Sequence, residues 1–307
     1  MRRIRHISGN LTLEDAPVPA PGPGELLVRT EAIGVTLPVV RKLREAGGSA
    51  PEPIGGEIAG TVAAVGPDVT EYAPGDRVTG LCFGDAYAEA AVLHTAMASA
   101  VPQGARAGDA VALVRGGVVA LGALEAAGPR PGESALITAA AGGAGHLAVQ
   151  LARTRGAARV VAAVSDPAAK GDFLRDLGAD EVVAYDAPEG WPGPFDYVLD
   201  AVGGDLLTPA VRALRDGGRL VAYSSGGGTL SAYDLLVGGR TVTGFQIARI
   251  ARDHPETYAA WRDELWGLFA DGALRPAAAA EFPLTRAAEA HALIDHRVNL
   301  GRVVLTP

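Results

Sequence analysis

Cysteine, lysine and aromatic residues are all scarce in this sequence. The lone thiol, Cys82, excludes an internal disulfide and any zinc site built on a cysteine cluster. Lysine occurs only at Lys42 and Lys170, every other basic side chain being arginine, so a lysine inside a motif carries unusual weight. Basic charge is also wanting. The formal charge of −8 argues against a nucleic-acid surface, which needs a basic face to meet phosphates. No apolar run stands out as long enough to span a bilayer. The start, "MRRIRHISGNLTLED", is basic but lacks the apolar core of a signal peptide. The expectation is a cytoplasmic protein with neither nucleic acid nor membrane as partner.

What is abundant is small and apolar. Glycine occurs 41 times and apolar residues make up 48% of 307, enough for two domains with full cores. The first hundred residues read as strands broken by turns. "ELLVRTEAIGV" (25–35) and "EIAGTVAAVG" (57–66) are strand-like, with Pro/Gly-rich loops such as "GGSAPEPIGG" around them. From about residue 109 the rhythm changes. A helix "VALVRGGVVALGALEAAG" precedes alternating strands and helices: "ESALITAA", "GHLAVQLARTRG", "ARVVAAVS", "PAAKGDFLRDLG", "DEVVAYD", "FDYVLDAVG", "LLTPAVRALRDGG", "RLVAYSSG" and "TVTGFQI". That alternation predicts a doubly wound parallel sheet, and its unbroken apolar strands predict burial on both faces. After Ile247 come a long helix, "PETYAAWRDELWGLFADG", and a mixed tail.

"TAAAGGAGHLAVQLAR" (138–153) lies between the first strand and helix of this series. In so alanine-rich a chain it competes with a plain strand-to-helix connection, yet its βαβ context favours a dinucleotide cradle. Gly143, Gly145 and Ala148 fill the three fingerprint places: a tight turn, close approach to a pyrophosphate, and helix-on-sheet packing. An NAD site wants Asp or Glu at the end of the second strand, to bind the ribose hydroxyls. Ser165 stands there instead and suits a 2′-phosphate, while Asp166 before Pro167 reads as a helix cap. Lys170, in the first turns of that helix, is placed to reach the phosphate; its competing role is a solvated surface lysine. The preferred cofactor is NADPH (NADP+).

Nine segments in order carry a family resemblance: "PGPGELLVRTEAIGV", "GGEIAGTVAAVG", "YAPGDRVTG", "AYAEAA", "AAAGGAGHLAVQLAR", "LGADEVVAYD", "FDYVLDAVGG", "GGRLVAYSSGG" and "GRVVLTP". The sequence resembles the zinc-independent medium-chain dehydrogenase/reductases, in the quinone oxidoreductase (zeta-crystallin-like) branch. The resemblance implies an α/β chain with two domains. A mainly β, GroES-like substrate domain comes from 1–108 and 248–307, and a Rossmann NADPH-binding domain from 109–247. It also implies a homodimer joined through "RTVTGFQI". Cofactor positions carried over are Gly142, Gly143, Ala144, Gly145, Ser165, Lys170 and Tyr185. Val202 with Gly203, Ser224 and Phe245 match positions near the nicotinamide, and Arg302 a basic position near the phosphates. Tyr185 competes with a role capping a strand edge, Phe245 with a core aromatic, and Arg302 with a surface arginine.

Zinc-dependent relatives place a Cys after "GV" and a His before the Glu of the next strand. Here Thr36 and Gly56 occupy those places, and no cysteine-rich structural loop exists. Without a Lewis acid the expected chemistry is hydride transfer from NADPH to an electron-poor acceptor, a quinone or an α,β-unsaturated carbonyl. Where the branch often reads Gly-Val-Asn, this chain reads "GVTLPVV", leaving Thr36 as the catalytic candidate, with one hydroxyl for the substrate or the nicotinamide ribose. Arg115 is read as a salt-bridging residue ahead of one that polarises a carbonyl, and His146 as a packed or capping helix residue ahead of a proton donor. The alternatives are an enoyl reductase of a biosynthetic intermediate, suggested by the changed loop and a shortened "REAGGSAPEPIGG", and an NADPH-binding protein without turnover.

Overall fold

The computed structural model describes residues 1–46, 53–223, 226–278 and 280–307. The chain divides into two compact units, Met1–Arg115 with Ala277–Pro307, and Gly116–Pro276.

The first unit is built on a seven-stranded sheet. Its long strands Glu25–Val35 and Gly56–Val65 pair antiparallel, and Arg77–Cys82 follows beside the second. The last strand, Val303–Thr306, pairs antiparallel with Glu25–Val35 and parallel with Ala280–Pro283. The carboxyl end therefore returns to the unit that the amino end began. Its core gathers Leu26, Val28, Ile33, Ile58, Val78, Leu93, Val303 and Leu305 from these alternating faces.

The second unit carries a six-stranded parallel sheet in the order Glu181–Ala184, Arg159–Val164, Ser134–Ile137, Phe195–Asp200, Leu214–Ala222, Thr241–Gly244. In chain order this is 3-2-1-4-5-6, the doubly wound arrangement, whose ligand crevice opens where the order reverses, between the first and fourth strands. The helix expected across "LLTPAVRALRDGG" is shorter, Leu207–Arg212, and its strand starts at Leu214. Gly217 turns through a left-handed conformation (φ 70) there, so "RDGG" becomes an irregularity of the strand instead of the end of the helix.

Two further differences concern the long helices. The compact units divide at 115/116 and 276/277, where boundaries at 108/109 and 247/248 were expected. Helix Pro255–Ala270 packs on the second unit: Leu265 abuts Gly117, the Phe245 and Trp261 rings lie 6.4 Å apart, and Arg155 pairs with Glu264 at 2.6 Å. Helix Ala107–Ala127 is also long and apolar enough to cross a membrane, which the sequence reading did not flag; 78% of its apolar window is buried inside the protein, as in a core helix.

Candidate functional site

The loop after Ser134–Ile137 is shaped by contacts with itself. Ala139 takes the left-handed backbone (φ 49), the role that the fingerprint assigns to Gly143, and the Gly142 amide donates to its carbonyl at 2.9 Å. A Cβ at Gly145 would overlap that same carbonyl oxygen and lie 2.8 Å from Ala140 Cα. Gly145 is thus required by the turn itself, a nearer cause than the approach to a ligand that its fingerprint place suggests. Helix Gly145–Thr154 follows at once, with Ala148 fully buried. The amides of Gly143, Ala144 and Gly145 have no partner among the described residues. Three unsatisfied donors at a helix start fit an anion such as a pyrophosphate. His146 is fully buried, with Nδ1 2.9 Å from the Gly142 carbonyl and its ring against Phe173, so it packs.

Beyond the second strand, Lys170 Nζ donates to Ser165 Oγ at 2.9 Å, and Lys170 is only 7% exposed. Lysine seldom accepts such burial, so this is not a solvated surface side chain. The pair puts a fixed cation and a hydroxyl at the strand's carboxyl end. Asp166 is turned away, its carboxylate accepting from the Ala169 amide at 3.0 Å as the cap of helix Pro167–Asp176. Tyr185 does more than end its strand. Its hydroxyl accepts from the Ala139 amide at 2.5 Å, tying the third strand to the glycine loop.

A network not expected from the sequence anchors the crevice. Asp200, at the end of the fourth strand, accepts from the Thr138 hydroxyl at 2.7 Å and from the amides of Val202 and Gly203 at 3.1 and 3.0 Å. Both side chains are buried. The signal was an acid closing the apolar run "YVL" just before a Val-Gly turn. That turn is tight: Gly203 has φ 67, and a Cβ at Gly226 would overlap the Val202 carbonyl. Ser224 lies outside the described residues, as do residues 47–52 of the "REAGGSAPEPIGG" segment. Phe245 fills the notch left by Gly122, where a Cβ would overlap its ring and lie 2.7 Å from Trp261. Packing is the role this geometry supports for it.

In the first unit, Thr36 is 4% exposed, its carbonyl accepts from the Val40 amide at 3.0 Å, and its hydroxyl has no partner among the described residues. Nearby in the sheet, Glu57 is 2% exposed and pairs with Arg115, while Arg302 Nη1 stands 3.9 Å from its other oxygen. Burial pushes the Glu57 carboxyl up, but the two guanidinium charges and the Arg115 hydrogen bond outweigh that and hold it below the usual carboxylate range. Gly34 makes the room, since a Cβ there would lie 2.5 Å from Glu57 Oε2. Arg302, 7% exposed, is therefore not a surface arginine. Its charge is matched to Glu57 inside the strand-rich unit, which weighs against the phosphate contact expected of it. Among the described residues, no three of His, Cys, Asp or Glu gather as metal ligands.

Residues 22–120 match the alcohol dehydrogenase GroES-like domain, and residues 143–264 the zinc-binding dehydrogenase family. The chain is 35% identical to a spectinabilin polyketide synthase system protein of Streptomyces orinoci over 97% of its own length, which is 14% of that protein. It spans 14% or less of the first curated relatives that it matches. A quinone oxidoreductase of Pseudomonas aeruginosa is 32% identical, over 94% of this chain and 92% of its own. The structure of a mycobacterial protein complexed with NADPH superposes with a TM-score of 0.90 at 29% identity, covering 100% of both chains. With a near full-length match at 32% identity and both domains in family order, the chain belongs to the quinone oxidoreductase branch of the medium-chain dehydrogenase/reductases.

Proposed function

We propose that this protein is an NADPH-dependent reductase that passes hydride to a quinone or another α,β-unsaturated carbonyl without zinc. The observation that carries the cofactor half is the buried Lys170–Ser165 pair beyond the second strand, in the same unit as three unpartnered loop amides. Lys170 and Ser165 hold the 2′-phosphate, and the amides of Gly143, Ala144 and Gly145 receive the pyrophosphate. Bound NADPH supplies the hydride. Thr36 donates its hydroxyl, which has no partner among the described residues, to the acceptor's oxygen, favouring negative charge there as it develops. Thr36 and Gly56 stand where zinc-dependent relatives carry Cys and His, which supports a reaction without metal. The lone buried Cys82 fits a cytoplasmic setting.

The polyketide synthase relatives favour a second reading, reduction of an enoyl intermediate in biosynthesis. Following nicotinamide absorbance while adding a simple quinone, a short enone and an aldehyde in turn separates the two. Quinone turnover supports the first reading, and enone-only turnover the second. Tight NADPH binding with no acceptor reduced contradicts both. A homodimer is also proposed. Strand Thr241–Gly244 ends its sheet, and the preceding helix exposes Tyr233, Leu236 and Val237 at 65–77%. Light scattering is expected to give twice the chain mass; a monomer contradicts this reading.

A further inference from the structure

Tyr223 follows the fifth strand of the parallel sheet, and its amide donates to the Asp200 carbonyl at 3.0 Å. Its hydroxyl is buried and has no partner among the described residues. Desolvation first, and then the Asp200 carboxylate and the neighbouring Tyr185, push its ionisation far above the usual tyrosine range. It is therefore a neutral hydroxyl with a proton to donate. Its two electrostatic neighbours both brace the glycine loop: Tyr185 through the Ala139 amide, Asp200 through Thr138. A buried hydroxyl left unmatched is costly, so its place at the carboxyl end of the sheet, beside the crevice, calls for an acceptor from a ligand.

We propose that the Tyr223 hydroxyl is a further anchor of the bound dinucleotide, donating to an oxygen of its diphosphate–ribose chain. The inference rests on the NADPH reading and adds a contact that does not involve the 2′-phosphate. NADPH and NADH share that chain, so Tyr223 serves both alike, whereas Lys170 serves NADPH alone.

The test titrates wild type, Tyr223→Phe and Lys170→Ala with NADPH and with NADH, reading dissociation constants by protein fluorescence. Tyr223→Phe is expected to weaken both nucleotides by the same factor, about tenfold, the size of one lost hydrogen bond. The nucleotide-free variant is expected to melt no lower than wild type, because its hydroxyl has no partner to lose. Unchanged affinities, or an effect on NADPH alone, overturn the proposal. So does a lower melting temperature with affinity intact, which would mark a structural hydroxyl. A wild-type chain that binds neither nucleotide overturns the cofactor reading and this one with it.

Discussion

In the parallel-sheet unit, the polar contacts of the candidate site join residues close in the chain or at the ends of strands of the one sheet. Lys170 meets Ser165 five positions away, and Asp200 meets Thr138 where adjacent parallel strands finish together. In the strand-rich unit the decisive contacts reach much further: Glu57 to Arg115 and Arg302, and Tyr87 to His291 across 204 positions. The first unit in chain order thus buries charge to hold itself together. The second leaves three loop amides and the Tyr223 hydroxyl without partners among the described residues beside one crevice. That contrast separates the Glu57 cluster, kept for stability, from the loop donors, kept for a ligand, and it can be tested from either side.

The largest effect is expected at Glu57. Glu57→Gln leaves the Arg115 and Arg302 guanidiniums without their shared counter-charge, one of them almost fully buried. Breaking a buried pair in this way is expected to cost about 3 kcal/mol, read as a lower urea midpoint. A stability unchanged by the substitution would erase the contrast between the units.

Next comes pH. His291 is buried against Tyr87, Nε2 to hydroxyl at 3.1 Å. Burial lowers its pKa from 6.5 to about 4, against a partly offsetting Asp295 and with His6 adding to the lowering. The unfolded chain therefore takes up the proton first as the pH falls. The stability from a neutral His291 is complete above about 6.5 and is lost as the pH drops toward 4. That loss is up to about 3 kcal/mol and is expected to vanish in His291→Gln, as melting curves across this range would show. An unaltered slope in the variant would assign the acid loss to other groups.

A smaller effect is expected at the glycine loop. Gly145→Ala drives a Cβ into the Ala139 carbonyl and displaces the free amides. NADPH affinity is expected to fall about tenfold, with a stability loss near 1 kcal/mol. Equal affinities by titration would detach the loop from the cofactor.

The same contrast explains what the sequence made legible. Strand and helix order, the capping role of Asp166, and the Ser165–Lys170 pair all follow from local spacing and from chemistry a few residues apart. Asp200 was passed over because an acid at a strand end is ordinary until the fold brings Thr138 and two amides to it. Arg302 misled for the same reason: nothing near residue 302 in the chain announces that Glu57 will neutralise it. Phe245 likewise depends on Gly122, whose missing side chain makes its notch. Long-range packing, not motif chemistry, decides such residues.

The central claim, that the buried Lys170–Ser165 pair selects NADPH through its 2′-phosphate, is tested most directly by the dissociation constants of Lys170→Ala. The account predicts NADPH binding weakened at least about tenfold, by loss of a charge-assisted contact, with NADH held within about twofold. Equal weakening of both nucleotides, or of neither, would contradict it.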